Sequence, residues 1–498
     1  MTHEDRILLR GGTVVIHEGD DTAKGIQADV LVSGNKIEKI ATDIEPLPGT
    51  EVIDCSNKIV APGFIDTHRH MYTIGLRGRH GDDLLEDYLV RGIFQAASFD
   101  AQEVFWGQLA GCLESINAGT TTVVDHSHLN YSEDHPRAAI AATASSGIRS
   151  VYGYCFNARV DSWSPFKTNP SFIAPWALDN LKRICQYAPF GNNRITLGVA
   201  FDGWFLPKDM IVGLFDEIKK LGIHYWTTHN SPPRAGAQSS VQKMEECGLL
   251  TQGAILSHAN SLSDQDIELI KKRSAHVSST PSLELQMGMG TPACFDAERH
   301  LESHSSLGID CHNVTLASLP AEMRVALQSS RGTYNEKFIV RGLKPARVNK
   351  TVQEVYALGT VAGARAISME DKLGSIAEGK LADIIVFDAL TPNMVCGAQQ
   401  DPITAIVMHS TPADVVLTMV DGIIRKKDGQ LEPVHPEGDP DSIFPISSSP
   451  MRWREVADRL LETRGTLKAK VDRIDLVEAK QGALKAFGYD PSKIVDSV

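Results

Sequence analysis

The sequence lacks several features that would point to whole classes of protein. No run approaches the roughly 20 apolar residues that cross a bilayer, and the opening MTHEDRILLR lacks the apolar core of a signal peptide. Basic residues do not dominate, since 49 Lys and Arg face 62 Asp and Glu for a formal net charge of -13. We therefore expect a cytoplasmic protein that binds neither nucleic acid nor membrane.

Paired cysteines are also missing. The 8 cysteines are scattered singly, without a CxxC pair and without the disulfide spacing of a small domain. We expect reduced and mostly buried thiols. Cys311 alone stands beside a candidate functional residue, Asp310.

What is present is an ordinary globular composition over 498 residues, with 42% hydrophobic and 22% charged residues. Residues 7–60 read as short strands broken by Gly-Asn and Ser-Asn turns, which predicts a small antiparallel β unit. A similar pattern returns far downstream, where Asp421-Gly422 is a hairpin signal. The two ends predict one composite β-sandwich built from residues 1–61 and 368–438.

Between these ends, strand-like runs alternate with helix-length amphipathic segments. This alternation predicts an α/β protein whose residues 62–367 form a parallel (β/α)8 TIM barrel. The alternative, an open doubly wound sheet, needs a glycine-rich phosphate loop after its first strand, and PGFIDTHRH is not one. The predicted strands are IVAPGFIDTH, TTTVVDH, SVYGYCF, ITLGVAF, HYWTTH, AILSHA, HVSST and LGIDC.

Two helices in this region have readable ends: Ser263 is a predicted N-cap, and Gly119 a predicted C-cap. Residues 439–498 change in composition. They begin with the Pro/Ser-rich linker DPDSIFPISSSP and continue as a charged amphipathic segment. We expect a helical tail that packs on the barrel or on a neighbouring subunit.

Metal-type residues recur at the ends of the predicted strands. His68 and His70 close the first strand, and alternate residues of a strand point to the same face, so both imidazoles reach one point. His229 closes HYWTTH, His258 lies in AILSHA and Asp310 lies in LGIDC. Because active sites of this barrel lie at the carboxyl ends of its strands, we expect these five side chains to converge.

On these motifs the chain resembles the amidohydrolase superfamily, in its cytosine deaminase-like and triazine hydrolase-like branch. The resemblance covers about residues 7–430. It rests on PGFIDTHRH, LRG, AGTTTVVD, LSHAN, LGIDC and GSIAEGKLADIIVFD.

The resemblance implies that His68, His70, His229 and Asp310 bind a divalent metal, and that His258 holds the metal-bound water or the substrate. Zinc is the expected ion, with iron as the alternative. Binuclear relatives carry a bridging residue on the fourth strand. ITLGVAF contains no Lys, Glu or Cys, so we expect one metal ion.

The implied activity is hydrolysis of a non-peptide C–N bond in a small cyclic or aromatic substrate by a metal-bound hydroxide. A divalent ion lowers the pKa of bound water from 15.7 toward about 7. Asp310 would accept the proton, and His258 would orient the attack and stabilise the developing negative charge.

One expected residue is absent. Deaminases of this branch read His-x-x-Glu after the fifth strand, whereas this chain reads His229-Asn230-Ser231-Pro232. Either the leaving group needs little protonation or another residue supplies the proton. His126 and His128 in VVDHSHL are the candidates, and the alternative interpretation is a solvated loop pair.

Four further residues are candidates for the substrate pocket because they follow predicted strands: Tyr72, Trp204, Glu284 and Gln286. Packing of loops is the alternative role for each. We expect a homo-oligomer, a dimer or a tetramer. A metal-dependent decarboxylase, a hydrolase of another ring substituent and a non-catalytic scaffold are the alternative functions, and the substrate is not fixed by the sequence.

Overall fold

Five strands at the start of the chain belong to one sheet. The computed structural model describes residues 6–19, 22–230, 238–296, 299–437 and 449–495. The five strands are β1 (Arg6–His17), β2 (Ala23–Ser33), β3 (Lys36–Ala41), β4 (Glu51–Asp54) and β5 (Lys58–Pro62).

The pairing of β1 corrects the predicted antiparallel unit. β1 is antiparallel to β2 but parallel to β4 and β5. The prediction was wrong here because residues 42–50 carry the chain back to the end of the sheet at which β1 starts.

The following strands form a parallel barrel, and a two-stranded hairpin of β9 and β10 stands apart from it. These strands are β6 (Phe64–His70), β7 (Thr120–Ser127), β8 (Arg149–Phe156), β9 (Val160–Trp163), β10 (Phe166–Thr168), β11 (Ile195–Phe201), β12 (Trp226–Asn230), β13 (Ala254–His258), β14 (His276–Ser279), β15 (Ser305–Leu307) and β16 (Asp310–Cys311).

The eighth barrel strand is split into β15 and β16. β15 pairs with β14 and β16 pairs with the first barrel strand, β6, so the ring closes. The break lies at Gly308 and Ile309, where the chain passes directly over His68. A Cβ on Gly308 would lie 2.8 Å from the Cβ of His68, so only glycine fits. Asp310 therefore starts a two-residue strand, whereas the sequence predicted one strand over residues 307–311.

The last four strands return to the first sheet. They are β17 (Ile384–Asp388), β18 (Val415–Val420), β19 (Ile423–Lys427) and β20 (Gln430–Leu431). β17 is antiparallel to β5, so strands from both ends of the chain share one nine-stranded sheet. The domain limits at residues 61/62, 367/368 and 438/439 stay a prediction.

Helices surround the barrel and extend beyond it. The helices are α1 (Leu85–Arg91), α2 (Ala101–Asn117), α3 (Asp134–Ser146), α4 (Pro175–Cys185), α5 (Lys208–Lys220), α6 (Ser240–Glu246), α7 (Asp264–Arg273), α8 (Pro281–Gln286), α9 (Leu319–Ile339), α10 (Val352–Leu358), α11 (Val361–Ala366), α12 (Gly397–Gln400), α13 (Pro402–Met408), α14 (Trp453–Val471) and α15 (Leu476–Ala486). Among the described residues, no helix combines the length and apolar character that crossing a membrane requires.

Helix ends follow local sequence signals. Ser263 caps α7, since its hydroxyl accepts the backbone N–H of Asp266, whose carboxylate in turn accepts the N–H of Ser263. Gly119 follows the end of α2 with φ +90, a conformation that suits glycine. Short 3-10 helices cover Met71–Leu76, Ile93–Ser98, Ala293–Phe295, Glu302–His304, Pro412–Asp414 and Pro491–Lys493.

The C-terminal helices pack on the segment that follows His70. α14 lies against α2 and the 3-10 helix Met71–Leu76, and α15 lies against α1. Lys470 of α14 donates to Glu103 at 2.7 Å, and Lys480 of α15 donates to Asp87 at 2.7 Å. The tail thus supports the first loop of the barrel. Residues 439–448 of the predicted linker lie outside the described residues.

Candidate active site

Five side chains converge at the carboxyl end of the barrel. His68 and His70 come from β6, His229 from β12, His258 from the end of β13 and Asp310 from the start of β16. Nε2 of His70 lies 3.2 Å from Nε2 of His229 and 3.2 Å from Oδ1 of Asp310. Nε2 of His68 lies 3.9 Å from the same oxygen. Two groups of three among these side chains have the spacing of metal ligands: His68, His70 and Asp310, and His68, His229 and His258.

The hydrogen bonds of two histidines fix where their protons lie. Nδ1 of His70 contacts the carbonyl oxygen of His126 at 2.6 Å, and Nδ1 of His229 contacts Oδ2 of Asp202 at 2.8 Å. Both oxygens only accept, so both Nδ1 atoms carry a proton, and in the neutral rings both Nε2 atoms carry a lone pair. Two lone pairs that face each other at 3.2 Å repel unless a cation lies between them.

His68 completes this donor set. Its Nδ1 lies 2.7 Å from the hydroxyl of Ser257. Its Nε2 is buried and has no hydrogen-bond partner among the described residues. A buried polar atom without a partner costs free energy, and a metal ligand bond would remove that cost. The residues present therefore fit a divalent metal ion.

Burial and neighbouring charges shift the pKa values of these groups in different directions. Burial lowers the pKa of His68 and His70, so both are neutral. Burial also disfavours the charged form of His229, but the Asp202 carboxylate raises its pKa above the usual value. Burial opposes ionisation of Asp310, yet the neighbouring imidazoles of His70 and His258 hold the pKa of this carboxyl well below its usual range.

His258 and Asp310 share an unusual backbone. Both have positive φ, +71 and +72, in the left-handed region that costs energy for residues other than glycine. In this conformation Nε2 of His258 lies 3.6 Å from Oδ2 of Asp310. Nδ1 of His258 lies 2.9 Å from the hydroxyl of Thr280. The left-handed backbone at these two residues therefore directs His258 to Oδ2 of Asp310, the carboxylate oxygen that does not face His70.

His126 and His128 lie inside the same cluster. The His126 ring centroid is 4.2 Å from that of His229, and the His128 ring stacks on His70 at 3.9 Å. Both are buried, so the interpretation as a solvated loop pair is wrong. Burial lowers the pKa of His126 to about 3 and that of His128 well below the usual value, so both rings are neutral.

Two of the predicted pocket residues lie beside this cluster. The Tyr72 hydroxyl lies 3.2 Å from Nδ1 of His128. Oε1 of Glu284 accepts the backbone N–H of Thr280 at 2.8 Å and lies 3.6 Å from Nδ1 of His258. Glu284 is completely buried, so it stabilises the backbone at Thr280 beside His258.

The other two predicted pocket residues have their donors engaged by protein. Nε1 of Trp204 donates to the hydroxyl of Thr228 at 2.8 Å, and the indole packs against Phe201. Nε2 of Gln286 donates to the carbonyl oxygen of His80 at 2.8 Å. A substrate contact of either residue stays a prediction.

Most of the chain matches a known protein family. Residues 59–425 match the model of the amidohydrolase family. The chain belongs to the amidohydrolase family. It is a metal-dependent hydrolase of the kind that acts on C–N bonds other than peptide bonds.

Two similar curated proteins are deaminases by name. This amidohydrolase is 28% identical over 473 residues to 5-methylthioadenosine/S-adenosylhomocysteine deaminase of Pyrococcus abyssi, covering 89% of this chain and 98% of that one. It is 27% identical over 453 residues to 5'-deoxyadenosine deaminase of Methanosphaera stadtmanae, covering 88% and 97%.

Solved structures share the fold at low sequence identity. An adenosine deaminase from Xanthomonas campestris with bound zinc has a TM-score of 0.73 at 18% identity and covers 93% of this chain and 98% of that one. An atrazine chlorohydrolase from Arthrobacter aurescens TC1, in complex with zinc, has a TM-score of 0.71 at 20% identity, covering 93% and 99%. Both support the predicted barrel with an added β domain.

Sequence reasoning missed three residues of the amidohydrolase site. Asp202 follows β11 directly, and an acid at the end of a barrel strand was a readable signal. The sequence did not indicate a role for Ser257 or Thr280, because single serine and threonine residues occur throughout the chain. Pro232, at the position where the sequence pattern of deaminases would place a glutamate, lies outside the described residues.

Replacing Thr280 by valine tests the orientation of His258. Thr280→Val removes the hydroxyl at Nδ1 while keeping the shape of the side chain. We expect kcat to fall roughly fivefold, the equivalent of about 1 kcal/mol for one hydrogen bond, with metal content unchanged. Steady-state kinetics and elemental analysis measure both. The exposed strand residue Thr196 provides the control Thr196→Val, which should match the parent. A parent-like kcat in Thr280→Val would contradict the role.

Proposed function

We propose that this amidohydrolase hydrolyses an exocyclic C–N bond of a small nitrogen-containing ring, releasing ammonia or an amine. The observation that carries the proposal is the convergence of imidazoles around Asp310: Nε2 of His68 and His70 face one carboxylate oxygen and His258 faces the other. Nε2 of His229 lies beside Nε2 of His70. The names of the relatives support it, since they are deaminases of adenosine-type nucleosides. Hydrolysis of another ring substituent is the alternative, supported by the structural likeness to a chlorohydrolase.

We further propose one zinc ion held by His68, His70, His229 and Asp310, with iron as the alternative. Zinc in two structural neighbours and the nitrogen-rich donor set support this assignment. When bound, such an ion lowers the pKa of a water molecule and polarises the group under attack.

The side chains of the chain then have separate tasks. Asp310 is ionised, so it accepts the proton of the attacking water. His258, held at Nδ1 by Thr280, presents Nε2 to the same carboxylate and to the substrate, where it orients the attack. Buried side chains such as His128 and Tyr72 form the wall of the site and exclude bulk water.

Protonation of the leaving group needs a residue other than the missing glutamate. We propose His126 and His128 for this step. Each is a neutral imidazole with one N–H and one lone pair. Such a ring accepts, at its free nitrogen, the proton that Asp310 takes from the attacking water, and releases its own N–H proton to the leaving group. Their positions beside His229 and His70 support the assignment.

A panel of ring substrates tests the proposed function. Adenosine-type nucleosides, guanine, aminotriazines, chlorotriazines, cyclic amides and aromatic carboxylates are incubated with zinc-loaded protein, and ammonia, amine, chloride and carbon dioxide are measured. We expect ammonia or amine from one substrate class, lost after chelation. Chloride alone would favour the alternative hydrolase. Carbon dioxide alone would favour a decarboxylase, and no product with any substrate would favour a scaffold.

We also propose that the protein is a homo-oligomer, a dimer or a tetramer. Four exposed apolar side chains near the end of α9 support a subunit contact there: Ile339, Val340, Leu343 and Val348.

A further inference from the structure

The carboxylate of Asp202 makes four contacts with the site. Asp202 follows β11, the fourth barrel strand. Its Oδ1 accepts the backbone N–H of His229 at 2.8 Å and the hydroxyl of Thr228 at 3.0 Å. Its Oδ2 lies 2.8 Å from Nδ1 of His229 and 3.4 Å from Nε2 of His126. One side chain therefore joins the second, fourth and fifth strands of the barrel.

We propose that Asp202 is the positioning residue that makes His229 a metal ligand. It keeps the proton on Nδ1, so that the lone pair stays on Nε2, the atom that faces His70. The same carboxylate fixes the orientation of the His229 ring, because it accepts hydrogen bonds from both the backbone N–H and the side chain of His229. This inference rests on the proposed ligand role of His229.

Asp202 acts from the far side of the imidazole. Its Oδ2 lies at Nδ1, whereas the converging ligand atoms of His70 and Asp310 lie on the Nε2 side. Asp202 therefore contacts the ligand His229 without facing the metal position itself. Its contact with Nε2 of His126 orients that ring too, with the Nε2 proton toward Asp202.

Only a carboxylate fits this position. The backbone N–H of His229 always donates, so Oδ1 must be an acceptor, and Oδ2 must accept the N–H at Nδ1. An asparagine offers one acceptor and one donor. With its oxygen toward the backbone, its NH₂ group faces Nδ1, which favours the tautomer with the proton on Nε2 and blocks metal binding there.

A second layer holds the carboxylate in place. Nε1 of Trp204 donates to the Thr228 hydroxyl at 2.8 Å, so this hydroxyl directs its own proton to Asp202. Trp204, which the sequence placed in the substrate pocket, thus supports the metal site through Thr228 and Asp202. Removing the indole N–H should weaken metal binding less than removing the carboxylate.

The test is the zinc affinity of the metal-free protein, measured by competition with a chromophoric chelator. We expect Asp202→Asn to bind zinc about 10- to 100-fold more weakly than the parent. Trp204→Phe should bind roughly 2- to 5-fold more weakly, since it loses one hydrogen bond. Asp209→Asn removes the same charge from an exposed position in α5 and should match the parent.

Thermal unfolding of the metal-free variants separates positioning from stability. We expect equal midpoints for Asp202→Asn and Asp209→Asn alongside the unequal zinc affinities. Parent-like zinc affinity in Asp202→Asn would overturn the inference. If Asp202→Asn does not fold, Trp204→Phe decides, and parent-like affinity there overturns it equally. If the parent protein itself binds no zinc, the proposed function is overturned. If the parent binds zinc and Asp202→Asn binds it equally well, only the role of Asp202 is overturned.

Discussion

Asp310→Asn should lower kcat/KM by about three orders of magnitude, the largest effect that we expect from one substitution in this amidohydrolase. The amide keeps the shape of the carboxyl group but loses its charge and its ability to accept a proton, which alone is worth about 10²- to 10⁴-fold. It also offers a weaker ligand to the cation beside His70 and His68. Kinetics on the substrate found by the panel and zinc content per chain measure the two losses.

Metal removal gives the matching control for Asp310. The chelated parent should lose its activity and regain it when zinc is added back, whereas Asp310→Asn should stay inactive in excess zinc. Asp264→Asn, at the exposed start of α7, should behave like the parent. An Asp310→Asn protein that keeps its zinc and more than about a tenth of its activity would contradict both assigned roles of this carboxylate.

Arg149→Met should lower the free energy of unfolding by about 3–5 kcal/mol, because it strands buried carboxylates without their cation. Arg149, at the start of β8, donates through Nε and Nη2 to both oxygens of Asp383 at 3.2 and 3.0 Å. Nη2 also lies 2.9 Å from Oδ1 of Asp421. The side chains of Arg149 and Asp383 are only 6% and 4% exposed, so water cannot replace the lost contacts. Urea unfolding measures the change.

A surface ion pair provides the contrast to Arg149. Lys427 and Glu51 are 2.7 Å apart but 40% and 47% exposed, so Lys427→Met should cost less than about 1 kcal/mol. The metal affinity of Arg149→Met should stay that of the parent, because Arg149 lies at the amino end of its strand, away from the site. Arg149 lies on a barrel strand, whereas Asp383 and Asp421 flank strands of the nine-stranded sheet of both chain ends. Equal unfolding midpoints for the two variants would show that this ion pair does not stabilise the contact between that sheet and the barrel.

Much of the architecture follows from local patterns. The apolar runs that became β7, β8 and β11 are buried along nearly their whole length, as a parallel sheet covered by helices requires. Ser263 read as a helix start because its hydroxyl accepts the N–H of Asp266 in the first turn of α7, and the Asp266 carboxylate accepts the N–H of Ser263. His-x-His read as a half-site because strand geometry alone puts both rings on one face.

What the sequence could not give depends on contacts between distant segments. The parallel pairing of β1 with β4 is set by the path of residues 42–50, which carries no periodic pattern. The proton on Nδ1 of His229 is held by Asp202, 27 positions earlier, and Nδ1 of His258 is oriented by the hydroxyl of Thr280, 22 positions later. Aspartate and threonine are also common at the protein surface, so only the folded geometry distinguishes Asp202 and Thr280 from surface residues of the same types.

The split eighth strand has a consequence for biosynthesis. Asp310 lies on the segment that seals the barrel against β6, so His68 and its carboxylate partner meet across a seam between the first and last barrel strands. A chain emerging from the ribosome carries all four histidines of the site once residue 258 has been made, yet it lacks the closing strand. With the proposed ligand set, full metal coordination waits for residues near 310, and zinc occupancy would mark a barrel that has closed.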